Sequence, residues 1–209
     1  LTFDLRNIHW IKDITIITTG ILLTEEKVNA LAAAGLSELN VSISAMDVES
    51  AKAIMGTKTY NIEHLKKIIS YAAKKLKITI APVWVAGMND AELEKIIAFG
   101  NQIRCPVRIQ KFCYNQFGRN PAEEMEWDDF FAKIKELEKK TATQLTEKKE
   151  MYTLEKTKEY PVPFKRKEIV EARIVCTGRY IHEKLCVARD RLISVPFCKK
   201  EKGNVKIRI

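Results

Sequence analysis

The stretch ITIITTGILLTEE, Ile14 to Glu26, decides the fold. Ile14, Ile16 and Ile17 read as a buried strand. Thr24, Glu25 and Glu26 read as a helix start, a capping hydroxyl followed by acids that suit the helix dipole. Between them stand Thr18, Thr19 and Gly20, so a small polar group is expected at the strand end.

The pattern repeats outward from this unit. Glu25 to Ala34 reads as a helix closed by Gly35, and LNVSISAMD, 39 to 47, as a second strand. Asp47 can cap a short helix to Met55. Asn61 can cap a longer one whose Ile62, Leu65, Ile68, Ile69 and Ala72 form an apolar stripe. ITIAPVWVAG, 78 to 87, is a third strand. Asn89 with Glu92 makes a capping-box-like start to a helix over 91 to 102, and PVRIQKF, 106 to 112, is a fourth strand. Apolar strands alternating with helices predict βαβ units in a parallel sheet, either doubly wound or part of a barrel. In both, ligands bind at the carboxyl ends of the strands. Those ends carry Thr18, Thr19 and Gly20; Ser42 and Ser44; Gly87, Asn89 and Asp90; and Asn115, Gln116 and Arg119. For the hydroxyls, capping of nearby backbone is the competing reading.

A helix from about Glu126 to Lys140 follows, with Trp127, Phe130, Phe131, Ile134 and Leu137 as its expected buried face. Residues 141 to 160 read as a polar connector holding a strand, MYTLE, and Pro161 and Pro163 mark a boundary. Beyond it, EIVEARIVC, KLCVARD, RLISVPF and NVKIRI are short β runs, read as a small all-β barrel over 161 to 209. Charge separates the two parts. Residues 160 to 209 carry 13 Lys and Arg against 5 Asp and Glu, whereas residues 1 to 159 carry 23 against 22. The tail is a basic module suited to a polyanion.

Other classes lose support. A 46% hydrophobic content suffices for a real core, no run is long and apolar enough for a membrane span, and no signal-peptide layout opens the chain, so a cytoplasmic protein is expected. The five cysteines lack metal-knuckle spacing and read as reduced, mostly structural thiols, so no metal ligand is assigned; the three histidines lack ligand spacing too. An aldolase-like barrel would want a catalytic lysine or paired carboxylates at strand ends. Asp90 stands there alone and Lys111 lies inside a strand.

The order TTGILLTEEKVNALAAAGLSELNVSISAMD, APVWVAGMND, VRIQKF resembles the radical S-adenosylmethionine superfamily, in its molybdenum-cofactor-synthase-like branch, over about residues 1 to 140. The resemblance implies a partial (β/α) barrel of parallel strands, corresponding to the family's third to sixth. The TNG-type turn stands as Thr18-Thr19-Gly20, departing at its middle residue. The serine-rich strand end stands as Ser42-Ile43-Ser44, where many relatives close with an acid, and the GxND turn is intact at Gly87 to Asp90. It implies that Thr18, Thr19, Gly20, Ser42 and Ser44 bind S-adenosylmethionine, with Thr18 and Ser42 preferred because they match positions that face the cofactor. The family's CxxxCxxC loop for a four-iron four-sulfur cluster and its GGE turn are absent, and the chain opens at Leu1. The expectation is the C-terminal part of a longer protein with its cluster ligands upstream; the alternative is a degenerate, cluster-free barrel.

The basic module, with GRYIHEKLCVARDRLISVP and GNVKIRI, resembles a TRAM domain, which implies RNA binding and a tRNA nucleoside as substrate. Arg173, Arg179, Lys184, Arg189, Arg191 and Arg208 are the expected phosphate contacts, with Tyr180 or Phe197 able to stack on a base. The polar segment 110 to 121 is expected to line the barrel mouth, where Arg119 could meet a carboxylate or phosphate.

Overall fold

A computed structural model describes residues 1–146 and 160–209, which fall into two compact units. The first comprises Leu1–Phe112 and the described part of Ala122–Met151; the second comprises Cys113–Pro121 and the described part of Tyr152–Ile209. The connector strand expected at MYTLE lies outside the described residues.

The first unit alternates as its sequence dictates. After α1 (Thr2–Arg6) come β1 (Thr15–Thr18), α2 (Glu25–Ala33), β2 (Glu38–Val41), α3 (Val48–Met55) and α4 (Ile62–Ala72). Then follow β3 (Lys77–Ile80), β4 (Val83–Trp84), α5 (Asp90–Gln102), β5 (Gln110–Lys111) and α6 (Trp127–Thr141). Three helices start at their expected caps: Thr24 accepts from the Lys27 N–H, Asp47 from that of Ser50, and Asn61 from that of His64. Each satisfies a backbone donor that the first helical turn leaves open.

Strands β1, β2 and β3 pair in parallel in chain order, and β4 pairs in parallel with β5. The expected third strand is split because Pro82 has no N–H to give the ladder. Backbone bonds from Arg108 N to Ile80 O and from Gln110 N to Pro82 O, both 2.8 Å, still carry the fourth strand alongside the third. The unit is therefore a mixed α/β layer with a parallel sheet.

One sheet face is covered by helices. Leu39, Val41, Ile78 and Ile80 join Val28 of α2, Leu65 and Ile69 of α4, Leu93, Ile96 and Ile97 of α5, and Phe130 and Ile134 of α6 in a single core. Because side chains alternate along a strand, the residues between them face the other way. Ile17, expected to be buried, is 70% exposed for this reason. On α6 the buried stripe is narrower than expected: Phe130 and Ile134 are buried, whereas Trp127 and Phe131 sit on its flank about half exposed, with rings 5.8 Å apart. No described helix is long and apolar enough to cross a membrane.

The second unit is an antiparallel sheet of β6 (Ile169–Thr177), β7 (Lys184–Ala188), β8 (Arg191–Val195) and β9 (Asn204–Arg208), in the order β8-β7-β6-β9. Its pairing runs linearly from β8 to β9, so the described residues form an open sheet where a closed barrel was expected. Its core is small: Val170, Ala172, Ile174, Cys186, Ala188 and Ile207, at alternating positions on three strands. Residues 113 to 121 belong to this unit. Asn115 bridges Tyr180, and the Gln116 N–H donates to Arg179 O at 2.9 Å. The segment expected at the barrel mouth thus divides at Phe112, because its polar half finds backbone partners in the basic module.

Candidate functional site

Strand register sorts the candidate hydroxyls. Ile16, Leu39 and Ile78 share one cross-strand row, and Thr18, Val41 and Ile80 share the next on the same face, the face covered by helices. Thr18 accordingly lines a shallow cleft of about 320 Å³ with Leu22, Leu23, Lys27, Ala30 and Leu31, and its hydroxyl accepts the Gly20 N–H at 3.0 Å. Gly20 itself turns at φ +73, and a Cβ there would come within 2.5 Å of Leu65. Only glycine fits this approach of backbone to core. Thr18 thus lies on the helix side, with its hydroxyl bound to the Gly20 N–H.

The opposite face carries Thr15, Glu38 and Lys77 in one row and Ile17, Asn40 and Thr79 in the next. One residue further on, Thr19 falls beside Ser42, since the Ser42 N–H donates to Thr18 O at 2.9 Å. No hydrogen bond among the described residues engages the hydroxyl of Thr19 or Ser42. Behind them, the Asn40 Oδ1 is buried without a partner, which is costly unless something donates to it. Two free hydroxyls and an orphaned acceptor on one face suit a small polar ligand. At the other end of the strands, burial alone would raise the Glu38 carboxyl. Hydrogen bonds from Thr79 and Lys77, with the charges of Lys77 and Arg108, outweigh burial and hold it below its ordinary value.

The loops at these strand ends are fastened by residues whose role the sequence concealed. Asn89 and Glu92 do not form the expected capping box. The Asn89 amide is 1% exposed, accepts the Val85 N–H and donates to Ser44 O and Val83 O, all at 2.8 Å. Glu92 accepts the N–H groups of Met46 and Asp47, at 2.7 and 2.9 Å, and takes Lys95 on its other oxygen. Asp90 accepts from Gly87 N and from the Trp84 indole. The GMND turn thus clamps the segment that follows Ser42 and fixes buried Ser44 by its carbonyl. No local pattern reveals this, because the partners lie about 45 residues away.

Lys111 does not stand open to substrate. Its side chain is 2% exposed, pairs with Glu124 and lies 4.9 Å from the Trp127 ring, which removes the lysine an aldolase-like reading needs. Among the described residues no group of three His, Cys, Asp or Glu could hold a metal ion, and the five cysteines are free thiols. A four-iron four-sulfur cluster does not fit these residues. Burial pushes the Cys105 thiol up, and burial with nearby Cys198 does the same to Cys186.

In the second unit the named cations divide. Lys184 is buried and its ammonium meets Glu201 at 2.7 Å. Arg189 donates to Pro163 O and to Glu168, both at 2.5 Å, and Arg191 donates to Pro161 O at 2.8 Å while lying over the Tyr160 ring. Arg179 donates to Asn115, and Arg119 lies in the same 113 to 121 segment. Arg173 and Arg208 remain on the exposed sheet face, and Tyr180 and Phe197 are exposed, Phe197 at φ +54.

Residues 1–100 match the family model of the Radical SAM superfamily. Over 221 residues the chain is 30% identical to the uncharacterized protein MJ0103 of Methanocaldococcus jannaschii, which covers 92% of this chain and 51% of that protein. It is 34% identical over 96 residues to the GTP 3′,8-cyclase of Petrotoga mobilis, covering 45% of this chain and 29% of that one. It is also 34% identical over 112 residues to the GTP 3′,8-cyclase of Limosilactobacillus fermentum, covering 52% and 32%. The chain spans about half the length of the first relative and about a third of the cyclases.

Proposed function

We propose that this chain is part of a radical S-adenosylmethionine enzyme acting on RNA, with tRNA nucleosides as the substrate class. Its first unit holds one side of the cofactor, and its basic second unit holds the nucleic acid. The observation that carries the reading is the free hydroxyl pair of Thr19 and Ser42 on one face of a parallel sheet, within residues that match the Radical SAM superfamily. When bound, S-adenosylmethionine would supply the radical chemistry of that superfamily, hydrogen abstraction from substrate. This chain's residues orient it: Thr19 and Ser42 offer hydroxyls to it, and the Asn89 and Glu92 clamp keeps the loop after Ser42 in place.

The RNA part rests on charge. The 13 to 5 excess of cations in the last fifty residues has no counterpart in the rest of the chain. A second reading, a guanosine nucleotide as substrate, is favoured by the similarity to GTP 3′,8-cyclases, although those matches leave about half of this chain uncovered.

Calorimetric titration of S-adenosylmethionine into the protein as its gene encodes it tests the first part. Ser42→Ala and Thr19→Val should each weaken binding about fivefold, the ~1 kcal/mol net worth of a hydrogen bond. Thr18→Val should leave affinity unchanged and lower the melting temperature. Unchanged affinity in both Ser42→Ala and Thr19→Val would place the cofactor elsewhere. Absence of binding, with tRNA still held, would leave a cluster-free RNA-binding protein.

A further inference from the structure

The segment from Tyr160 to Glu168, with its two prolines and three consecutive cations, is a strap tied down along its length. Arg191 holds Pro161 by its carbonyl and covers Tyr160, and Arg189 holds Pro163 by its carbonyl and lies 5.4 Å from the Phe164 ring. Phe164 packs on the small core. The far end is pinned to the last strand: the Lys167 N–H donates to Ile209 O at 2.7 Å, and the Ile209 N–H returns to Glu168 O at 2.9 Å. Between these ties lies a cleft of about 680 Å³, bounded by residues 162 to 164, Lys165, Arg166, Lys167, Glu168 and Arg189.

The charge in this cleft is one-sided. Its single carboxylate among the described residues, Glu168, is committed to Arg189 on one oxygen and to the Lys165 N–H on the other, which together hold it below its ordinary range. Lys165, Arg166 and Lys167 are exposed, and no ion pair among the described residues engages their side chains. Three exposed cations thus stand on three consecutive residues of a pinned turn, Lys165 within coulombic reach of Glu168 and Lys167 at φ +69. The cleft is open and, among the described residues, no buried polar side chain closes on a single ion, so it favours a strand of successive phosphates over a free phosphate. The exposed sheet face is the competing surface. It carries Arg173, Lys206 and Arg208, but Glu171 lies among them, directly across from Lys206.

We propose that Lys165, Arg166 and Lys167 form the phosphate-backbone contact of the basic unit, with a single-stranded stretch of RNA as the ligand. This rests on the RNA reading above and names the surface that carries it. Two of the cations suggested by sequence, Arg189 and Arg191, shape this surface without being its contacts.

The test is anisotropy of labelled tRNA with the 209-residue chain across a salt series. With about 0.7 released counterions per phosphate contact, replacing Lys165, Arg166 and Lys167 together by alanine should lower the slope of log affinity against log salt by about 2, and affinity at 0.1 M salt about 100-fold. Thermal melting should match wild type, since the replaced side chains are exposed. Alanine at Arg173, Lys206 and Arg208 together should lower the slope by less than about 0.7. If instead that second variant loses the slope and the first keeps it, the RNA reading stands and this surface falls. If wild type fails to bind tRNA at low salt, the RNA reading fails with it. Displacement of tRNA by micromolar inorganic pyrophosphate would reassign the cleft to a free polyphosphate.

Discussion

The two units use polar side chains in opposite ways. In the parallel sheet the charged and amide groups nearest the strand ends are consumed internally: Asn89 and Glu92 fasten loops, Asp90 holds Gly87 and Trp84, and Lys111 is sealed against Glu124. Among the described residues, what remains without a partner there is uncharged: the hydroxyls of Thr19 and Ser42 and the Asn40 Oδ1. In the antiparallel unit a six-residue core leaves fewer apolar contacts to do the same work. Long cations tie the chain together instead, and the free groups are themselves charged. A rigid site with neutral donors suits a small cofactor that must be oriented, whereas a tethered row of cations suits a polymer held by its phosphates.

The largest expected effect tests the first half of this contrast. Asn89→Ala removes three hydrogen bonds at a buried position and strands the N–H of Val85 and the carbonyls of Ser44 and Val83. The loss should be about 3–4 kcal/mol in urea unfolding followed by helical circular dichroism. Affinity for S-adenosylmethionine should fall as well, since the loop after Ser42 loses its anchor. A loss under about 1 kcal/mol would mean that the strand ends are held by sheet packing alone.

These cases also show what a sequence exposes. Strand and helix order, the three caps at Thr24, Asp47 and Asn61, and the α4 stripe were legible because each depends on residues within one or two turns of each other. The Asn89 and Glu92 pair reads locally as a capping box, and loses that role to partners in the loop after β2. Thr18 and Thr19 differ only in parity along a strand, so choosing between them required the register. The β7 to β8 turn is made by Arg189 and Asp190, at φ +47 and +58, without the glycine that announces such a hairpin. The bonds from Arg189 to Pro163 and Glu168 offset the conformational cost, and nothing near Arg189 in the chain predicts them.

Acid titration gives a smaller, signed effect in the first unit. Burial would raise the Glu92 carboxyl, but Lys95 and the N–H groups of Asp47 and Met46 outweigh it and hold the folded value below the ordinary 4.5. A depressed carboxylate stabilises the fold fully above its unfolded value, and that contribution is lost as pH falls through the folded one. Wild type should therefore lose stability through this group as pH falls from its unfolded carboxylate value through the lower folded one, by a modest amount because the Lys95 partner is exposed. Glu92→Gln should start less stable at pH 7 and show a flatter acid limb in urea midpoints. A limb of unchanged steepness would shift the acid sensitivity to other carboxylates, Glu38 and Glu138 first.

The smallest effect should come from Lys184, one of the cations that sequence places among the RNA contacts. The Lys184 side chain is 5% exposed and meets Glu201, whose own side chain is 78% exposed. Replacing a buried ammonium by an apolar chain of similar length removes a desolvation penalty along with the pair, and Glu201 left alone remains solvated. Lys184→Met should therefore change stability by less than about 1 kcal/mol in either direction, whereas Lys184→Ala, which opens a cavity beside Cys186 and Ala188, should cost about 2 kcal/mol. Neither should alter the salt slope of tRNA binding, because the ammonium is already spent. A slope lowered by about 0.7 in Lys184→Met would mean that the ammonium leaves Glu201 for a phosphate. The internal ties of the basic unit would then be exchangeable contacts, and Arg189 and Arg191 would return as RNA ligands beside Lys165, Arg166 and Lys167.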